Sequence, residues 1–341
     1  MEAIRIEEPK RIEFIEIDEP VAKEGEAILK ILYGGICGTD LGSYRGNFAY
    51  FDYPRVPGHE FSAEIVSIGE NEYGLKKGMI VTCNPYFNCE ECYSCKKGLV
   101  NACMDNQTMG VQREGAFTRY ISMPIERIYD GKGLSPKLLA IIEPFCIGWH
   151  GIKRSSIKKG DKVLVVGSGT IGVFAALSAK ILGADVYVSD VDEKKLNYVN
   201  KNFKFKGTIL NSSKEDFDKS VADITNGNGF DITIEAVGLP QTFQDCMDAA
   251  CFGGDVVVIG VGKKNLDFNF TIVQKKELNI YGSRNALKED FLNLIDVVSE
   301  NPTLFEKVIT HIYPFEKAKE AFRDFDENKE LILKILIDFT K

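Results

Sequence analysis

No hydrophobic run in this sequence is long enough to cross a membrane. A bilayer-spanning helix needs about 18 or more consecutive apolar residues, and the 341-residue chain contains no comparable stretch. The N-terminus also lacks the basic segment and following apolar segment of a secretory signal peptide. We therefore expect a cytoplasmic protein with no membrane partner.

The sequence has fewer basic than acidic residues. The 42 lysines and arginines are outnumbered by 50 aspartates and glutamates, which gives a formal net charge of −8. A negative surface repels nucleic-acid phosphates and anionic lipids, so we expect no nucleic-acid partner. Internal repeats and low-complexity segments are absent as well. The length exceeds that of one ordinary core and is typical of two domains of about 100–200 residues each.

Nine cysteines are present, and in a reducing cytosol they are not expected to form disulfides. Four of them lie close together with the spacing C-x2-C-x2-C-x7-C, in a polar segment at about 84–105: Cys89, Cys92, Cys95 and Cys103. Four thiolates at this spacing favour a closed, structural zinc site. An iron–sulfur cluster is the competing interpretation, and the missing Cys-Pro after three residues argues against it. A nucleic-acid-binding zinc knuckle conflicts with the acidic charge.

The apolar pattern changes along the chain. Up to about residue 145, short apolar runs alternate with glycine and proline, which is typical of a strand-rich domain. From residue 161, buried strands alternate with helical stretches, as in a doubly wound parallel sheet. The predicted strands are 162–167, 184–190, 231–238, 255–262 and 277–283. Two helices (288–300 and 314–326) and a strand (331–339) follow, and we expect this end to return to the first domain.

A glycine-rich turn, GSGTIG at 167–172, follows the first strand of this second region and opens a helix. Gly167 permits the tight turn, Gly169 lets backbone N–H groups approach a pyrophosphate, and Gly172 allows close helix–strand packing. The helix N-terminus favours phosphate charge. In this context the motif predicts a dinucleotide site, with a glycine turn that binds no ligand as the alternative.

Asp190 ends the next strand, 21 residues after Gly169. A carboxylate there accepts both ribose hydroxyls and repels a 2′-phosphate, so NAD is favoured over NADP. Lys195 lies nearby in sequence and weakens that preference slightly. The remaining residues predicted to contact the cofactor are Thr170, Ile171, Val237, Val261 and Ser283.

A second group of metal-binding side chains is spread along the first domain. Zinc accepts thiolate, imidazole and carboxylate ligands, and the chain offers these in GICGTD (35–40), GHE (58–60) and IEPFCIGWH (142–150). Each residue alone is more often a packing residue than a ligand. The candidates are Cys37, His59, Glu60 and Glu143.

Together, CGTD, GHE, the four-cysteine segment and VGSGTIG occur in an order that resembles the zinc-containing medium-chain dehydrogenase/reductase family, over essentially the whole chain. The resemblance implies an α/β fold: a GroES-like, mainly β catalytic domain (1–145 and 287–341) around a Rossmann domain (146–286). It also implies one catalytic and one structural zinc, hydride transfer to NAD, and a homodimer or homotetramer.

Carried over to this sequence, the resemblance makes Cys37 and His59 catalytic zinc ligands, with Glu60 or Glu143 as the third. Such carboxylate ligand sets are typical of the sorbitol, galactitol-phosphate, threonine and sugar-acid branches of the family. Thr39 is implied to take the proton from the substrate hydroxyl. Many relatives have a histidine where this chain has Gly42, so the proton must leave by another route, for which Ser43, Tyr44 and water are candidates.

The expected substrate is a small-molecule alcohol. We expect a zinc-bound alkoxide of a polyol, sugar phosphate or sugar acid to pass a hydride from its secondary carbon to NAD. The segments after residue 282 resemble galactonate-type oxidoreductases. Arg284 and Phe117 are the predicted substrate contacts, Arg284 because its guanidinium suits an anion. The alternatives are an L-threonine-type amino-alcohol dehydrogenase and a non-catalytic NAD-binding zinc protein.

Overall fold

The computed structural model describes residues 1–262, 264–327 and 331–341. The chain forms two units. The first comprises Met1–Glu143 and Ala286–Lys341, and the second comprises Pro144–Asn285. Within the described ranges, no helix is both long and apolar enough to cross a bilayer.

The first part of the chain is built mainly from short strands. Its elements are β1 (Glu2–Glu8), β2 (Arg11–Glu16), β3 (Glu26–Gly35), α1 (Gly38–Arg45), β4 (Glu60–Ser67), β5 (Ile80–Cys83), β6 (Tyr86–Phe87), α2 (Tyr93–Lys96), β7 (Gln107–Thr108), β8 (Tyr120–Pro124), β9 (Ile128–Asp130) and α3 (Pro136–Leu139). Short 3-10 turns at Val100–Ala102 and Ile125–Arg127 complete it.

The middle part alternates helix and strand. Its elements are α4 (Ile142–Lys153), β10 (Lys162–Val166), α5 (Thr170–Ile181), β11 (Asp185–Asp190), α6 (Glu193–Phe203), β12 (Gly207–Leu210), α7 (Lys214–Thr225), β13 (Phe230–Glu235), α8 (Pro240–Ala249), β14 (Ala250–Val258), α9 (Thr271–Lys276) and β15 (Asn279–Gly282). The six strands are all parallel, in the order β12-β11-β10-β13-β14-β15. This is the predicted doubly wound sheet.

The last part contributes α10 (Lys288–Glu300), α11 (Pro302–Glu306), β16 (Ile309–Pro314), a 3-10 turn (Phe315–Lys317), α12 (Ala318–Glu327) and β17 (Lys334–Asp338). β17 pairs antiparallel with β3, so this end of the chain enters the main sheet of the first unit. That sheet has the order β16-β17-β3-β4-β5-β9, with β8 also paired to β3. The last strand of the chain therefore lies in the same sheet as β3 and β4.

Two predicted elements differ clearly in extent, and one observed strand was not predicted. The predicted helix 314–326 is a strand end and a 3-10 turn before α12 begins at Ala318. β14 begins at Ala250, five residues before the predicted strand, and its pairing with β13 is irregular between Phe230 and Ile232. β12 was not predicted, because four residues are too few to show a hydrophobic period.

Candidate metal centres and dinucleotide site

The pairing of β3 with β4 brings the first two candidate ligands together. Gly35, the last residue of β3, pairs with Glu60, the first residue of β4. Cys37 follows β3 as the N-cap of α1, and His59 immediately precedes β4. One ligand atom from each of Cys37, His59 and Glu60 lies within 4.8 Å of the other two. Strand register thus brings Cys37 to His59 and Glu60, which lie 22 and 23 positions later in the sequence.

Asp40 connects the two loops that carry these ligands. Its carboxylate accepts the backbone N–H of Cys37 at 2.9 Å and that of Gly58 at 3.3 Å. Its Oδ1 lies 3.9 Å from Nδ1 of His59. Burial raises the pKa of Asp40, while His59 opposes that rise. The carboxylate therefore fixes the spacing of both loops and faces the imidazole, which is how a group supporting a metal ligand acts.

His59 itself is buried, and its Nδ1 has no hydrogen-bond partner among the described residues. Burial lowers the pKa of His59, but Cys37 and then Asp40 raise it, and the net pKa lies well above the ordinary value. A buried, incompletely satisfied imidazole beside a thiol and a carboxylate is a donor set that fits zinc. A bound cation would hold all three groups deprotonated.

Glu60 is paired with a residue that the sequence interpretation did not identify. The Nζ of Lys334 donates to the two carboxylate oxygens of Glu60 at 2.8 and 2.6 Å and to the carbonyl of Ile36 at 3.1 Å. Burial lowers the pKa of Lys334, but Glu60 and then Cys37 raise it, and the net shift is upward. A lysine inside the apolar run LILKILI (331–337) was the available signal, because such a residue needs a buried partner.

Glu143 is also buried, and its Oε1 accepts a hydrogen bond from the hydroxyl of Tyr86. Burial raises the pKa of Glu143 to about 7, Glu60 adds to the rise, and His59 opposes it. The charges of Glu60 and His59 thus both act on the Glu143 carboxyl. Glu60 lies with Cys37 and His59 at metal-ligand distance and is ion-paired with Lys334, and Glu143 is a second buried carboxylate that interacts with this group.

The four-cysteine segment forms a compact lobe between β6 and β7. One sulfur from each of Cys89, Cys92, Cys95 and Cys103 lies within 4.8 Å of the others. Backbone N–H groups of Cys95 and Met104 lower the pKa of Cys92 to about 6, whereas burial and the neighbouring thiols raise the pKa of Cys95 to about 11. Without a metal, Cys92 is therefore the thiol of this pair that ionises first. Four thiols at this separation fit a closed tetrahedral site.

The glycine-rich turn has the geometry that its sequence predicts. Gly167 has a φ of +107°, and a Cβ at Gly172 would lie 1.9 Å from the Gly167 carbonyl oxygen. At Gly169, the N-cap of α5, an added Cβ would meet nothing within 4 Å. The backbone at the start of α5 is thus open on the side where a Cβ would stand, which is the access that a phosphate needs at a helix N-terminus.

Asp190, at the end of β11, is held by groups of the glycine-rich turn. Its Oδ2 accepts the backbone N–H of Ser168 at 2.7 Å and the Ser168 hydroxyl at 2.6 Å, and its Oδ1 accepts the N–H of Asp192 at 3.0 Å. These bonds orient the carboxylate predicted to bind the ribose. Ser168 was not singled out in the sequence.

Other predicted cofactor contacts lie in the same unit. Val237 and Val261 follow β13 and β14, and their side chains are 44% and 64% exposed. Val237 packs beside Gly167. The hydroxyl of Ser283 is buried near Gly151 and has no hydrogen-bond partner in the part of the chain that the structure describes. Thr170 and Ile171 begin α5, and Lys195 lies in the first turn of α6.

The structure does not place Phe117 at a substrate pocket. Its side chain is fully buried, and its ring occupies the space that a Cβ of Gly34 or Gly58 would need. It packs against Phe322 and Phe339 at ring separations of 6.3 and 6.0 Å. Phe117 is therefore a core residue that supports the loop of His59, and its prediction as a substrate contact was wrong.

The remaining predicted residues are unevenly placed. Arg284 is exposed, two residues after β15. Thr39 lies half-buried in the first turn of α1. Ser43 is fully buried and donates its hydroxyl to the carbonyl of Thr39 at 3.0 Å, so it has no contact with solvent. The ring of Tyr44 packs against Phe322 and under Lys10.

Comparison with known proteins extends these observations. Residues 23–132 match the model for an alcohol dehydrogenase GroES-like domain, and residues 170–300 match that for a zinc-binding dehydrogenase. The chain is 37% identical to L-galactonate-5-dehydrogenase of Escherichia coli K12, covering 97% of each protein. It is 32% identical to L-threonine 3-dehydrogenase of Pyrococcus furiosus, covering 91% of this chain and 90% of the relative.

A solved structure agrees with the fold over nearly the full length. The alcohol dehydrogenase rspB from Escherichia coli CFT073, complexed with NADH, superposes with a TM-score of 0.89 at 28% identity, covering 99% of each chain. The predicted α/β architecture, with a GroES-like domain and a parallel dinucleotide-binding sheet, is confirmed.

Proposed function

The chain belongs to the zinc-binding alcohol dehydrogenase family, and from that premise we propose that it oxidises a secondary hydroxyl of a sugar acid, polyol or sugar phosphate with NAD. The observation that carries the proposal is the cluster of half-buried Cys37 with buried His59 and Glu60, with which buried Glu143 interacts. The 37% identity to L-galactonate-5-dehydrogenase supports a sugar acid first among these substrates.

Cys37, His59 and Glu60 would hold the catalytic metal, with Glu143 as the exchangeable carboxylate. When bound, zinc lowers the pKa of a substrate hydroxyl, and NAD accepts the hydride. Asp40 keeps the two ligand loops in register through the N–H groups of Cys37 and Gly58. These roles follow from the chemistry and burial of the donors.

Lys334 balances the charge of this site. A cation surrounded by one thiolate and two carboxylates would carry net negative charge, which is unfavourable in a buried environment. The ammonium of Lys334 on both oxygens of Glu60 offsets one carboxylate. The ligand set therefore keeps the electrophilic character that polarising an alcohol requires.

Thr39 is the proposed acceptor of the hydroxyl proton, since it lies two residues after Cys37 on the same helix start. Ser43 is fully buried and its hydroxyl is engaged by the Thr39 carbonyl. We therefore propose that water, rather than Ser43, takes the proton onward. This replaces the role played by histidine in relatives where this chain has Gly42.

Asp190 supports the choice of NAD over NADP. Its carboxylate is fixed by Ser168 and Asp192, and a fixed negative charge at that position accepts ribose hydroxyls and repels a 2′-phosphate. Arg284 is the proposed contact for an anionic substrate group, because a guanidinium binds carboxylates and phosphates through paired hydrogen bonds. The assembly is proposed to be a homodimer or homotetramer, which light scattering on the purified protein decides.

The function is tested by NADH formation with a panel of alcohols. The panel contains L-galactonate, other aldonates, sorbitol, galactitol 1-phosphate and L-threonine, and the zinc content of the same sample is measured. Turnover of an aldonate or polyol with about two zincs per chain supports the proposal. The 32% identity to L-threonine 3-dehydrogenase makes threonine the second candidate, and turnover of threonine alone would select it. Two bound zincs with no turnover of any alcohol would leave a non-catalytic NAD-binding protein.

A further inference from the structure

A continuous line of polar contacts joins the four-cysteine lobe to Glu143. Tyr86 forms β6 with Phe87 and lies three residues before Cys89, so it stands at the base of the lobe. Its hydroxyl donates to Oε1 of Glu143, and the residue is buried. The side chain that orients Glu143 is thus carried by the strand from which the lobe begins.

β6 is too short to hold Tyr86 in place by itself. The strand has two residues and, among the residues that the structure describes, pairs with the two residues of β7. Such a short ladder supplies few hydrogen bonds. The position of the Tyr86 hydroxyl must therefore depend on other contacts along this segment.

Arg127 supplies those contacts to three successive residues. Its guanidinium donates to the backbone carbonyl of Tyr86 through Nη1 and to the Oδ1 of Asn88 at 3.0 Å through Nη2. The same group lies 4.7 Å from the centre of the Phe87 ring. The side chain is only 11% exposed, so water does not replace these bonds readily. Arg127 fixes the segment from Tyr86 to Asn88 as a unit.

Asn88 extends the line into the lobe. While its Oδ1 accepts from Arg127, its Nδ2 lies 3.8 Å from Sγ of Cys95 as a donor. Because both ends of one planar amide are used, the position of the Cys95 sulfur and the position of the Arg127 guanidinium are linked. A metal that fixes Cys95 therefore also fixes Asn88.

We propose that the four-cysteine lobe acts as a positioning device for Glu143, through Asn88, Arg127 and Tyr86, and thereby sets how tightly the catalytic site holds its metal. The inference rests on the proposed function, since it takes Glu143 as a carboxylate of that metal site. Tyr86, Arg127 and Asn88 are positioning residues, and Glu143 is the group that they act on. The lobe then has a role in the site beyond the stability of its own segment.

The test measures the release of each zinc to a chromogenic chelator from the full-length, zinc-loaded protein. Cys37→Ser identifies the lobe zinc, because this variant lacks a catalytic ligand. Tyr86→Phe removes only the hydroxyl, and Arg127→Met removes both hydrogen bonds. Each variant is expected to lower the affinity of the catalytic site for zinc by about tenfold, while the lobe zinc stays bound. Losses of that size are typical when groups that orient metal ligands are removed.

Arg113→Met is the matched control. The Arg113 guanidinium lies over the same Phe87 ring at 3.9 Å, but its side chain makes no hydrogen bond to Tyr86 or Asn88 among the described residues. Its catalytic zinc should be released as in the unaltered protein. Asn88→Ala is a smaller change than Arg127→Met and should also make the catalytic zinc easier to release. It keeps the inference testable if Arg127→Met does not fold.

A double variant separates one line of contacts from independent effects. If Tyr86 and Arg127 act on Glu143 in series, the double variant (Tyr86→Phe with Arg127→Met) should lower the zinc affinity of the catalytic site no more than the single change with the larger effect. The inference would be overturned if the losses of zinc affinity in the double variant were additive. It would also be overturned if the zinc affinity of the catalytic site were unchanged in both Arg127→Met and Asn88→Ala. An unaltered protein that binds only the lobe zinc would instead refute the proposed function.

Discussion

Replacing Lys334 with methionine isolates the charge that the lysine gives to Glu60. The ammonium lies 2.8 and 2.6 Å from the two carboxylate oxygens, and the side chains are 2% and 0% exposed. Methionine keeps an unbranched, flexible apolar side chain that fills irregular core space. The carboxylate would remain buried without its counter-ion, and breaking such a pair typically costs about 3–5 kcal/mol. We expect the metal-free variant to lose stability on that order.

Zinc should reduce this loss, because a bound cation at Glu60 replaces the missing positive charge. Urea unfolding followed by circular dichroism, with and without zinc, measures both effects through the shift of the midpoint. The zinc-induced stabilisation should be larger in Lys334→Met than in the unaltered protein. A double variant, Glu60→Gln with Lys334→Met, should recover most of the metal-free stability, since removing both partners leaves no unpaired buried charge.

Lys319→Met is the control, since Lys319 forms an ion pair of similar length with Glu13, 2.8 Å, on an exposed surface. We expect no measurable shift of its midpoint, because water screens such pairs. If metal-free Lys334→Met unfolds at the midpoint of the control, or the double variant is no more stable than the single one, the charge-pair reasoning is wrong.

Further predictions concern pH, the cofactor and the ligand loop. Because the folded-state pKa of Glu143 is raised to about 7, the metal-free protein should lose stability as pH rises from about 4.5 to 7. Glu143→Gln should flatten that profile in urea melts, and an unchanged slope would exclude Glu143 as its source. Asp190→Ala should raise the Kd for NADH and reduce the preference for NADH over NADPH, both measured by fluorescence titration. The same NADH-to-NADPH preference in the variant and the unaltered protein would contradict the role of Asp190. Gly58→Ala should deplete catalytic zinc but not lobe zinc, because the backbone has φ +101° and the new Cβ would lie 2.3 Å from Phe117; two zincs by metal analysis would refute this.

The features predicted best from the sequence are those whose residues are close together in the chain. The four cysteines span 89–103, and the glycine-rich turn is six consecutive residues. Their spacing and their backbone requirements are local, so the pattern carries the geometry. Cys37 and His59 are farther apart, and they meet because of the register of β3 and β4. Their association was predicted only through the family resemblance.

The features that were missed depend on packing. Lys334 reaches Glu60 across 274 positions, and Tyr86 reaches Glu143 across 57. No local pattern records such pairs. Phe117 failed as a substrate contact for a related reason, since a buried aromatic and a pocket aromatic look alike in sequence. The ring is buried against Phe322 and Phe339, in space left by the missing side chains of Gly34 and Gly58.

The distance in sequence between Glu60 and Lys334 also sets an order of events during protein synthesis. The hairpin of β3 and β4 and the cysteine lobe leave the ribosome well before β17 does. At about 5–20 residues per second, the 274 positions that separate the pair correspond to roughly 14–55 s. During that interval the nascent chain presents the thiol, imidazole and carboxylate without the lysine that neutralises them. Only water or a cation from solution is then available to offset the charge of the Glu60 carboxylate in place of Lys334.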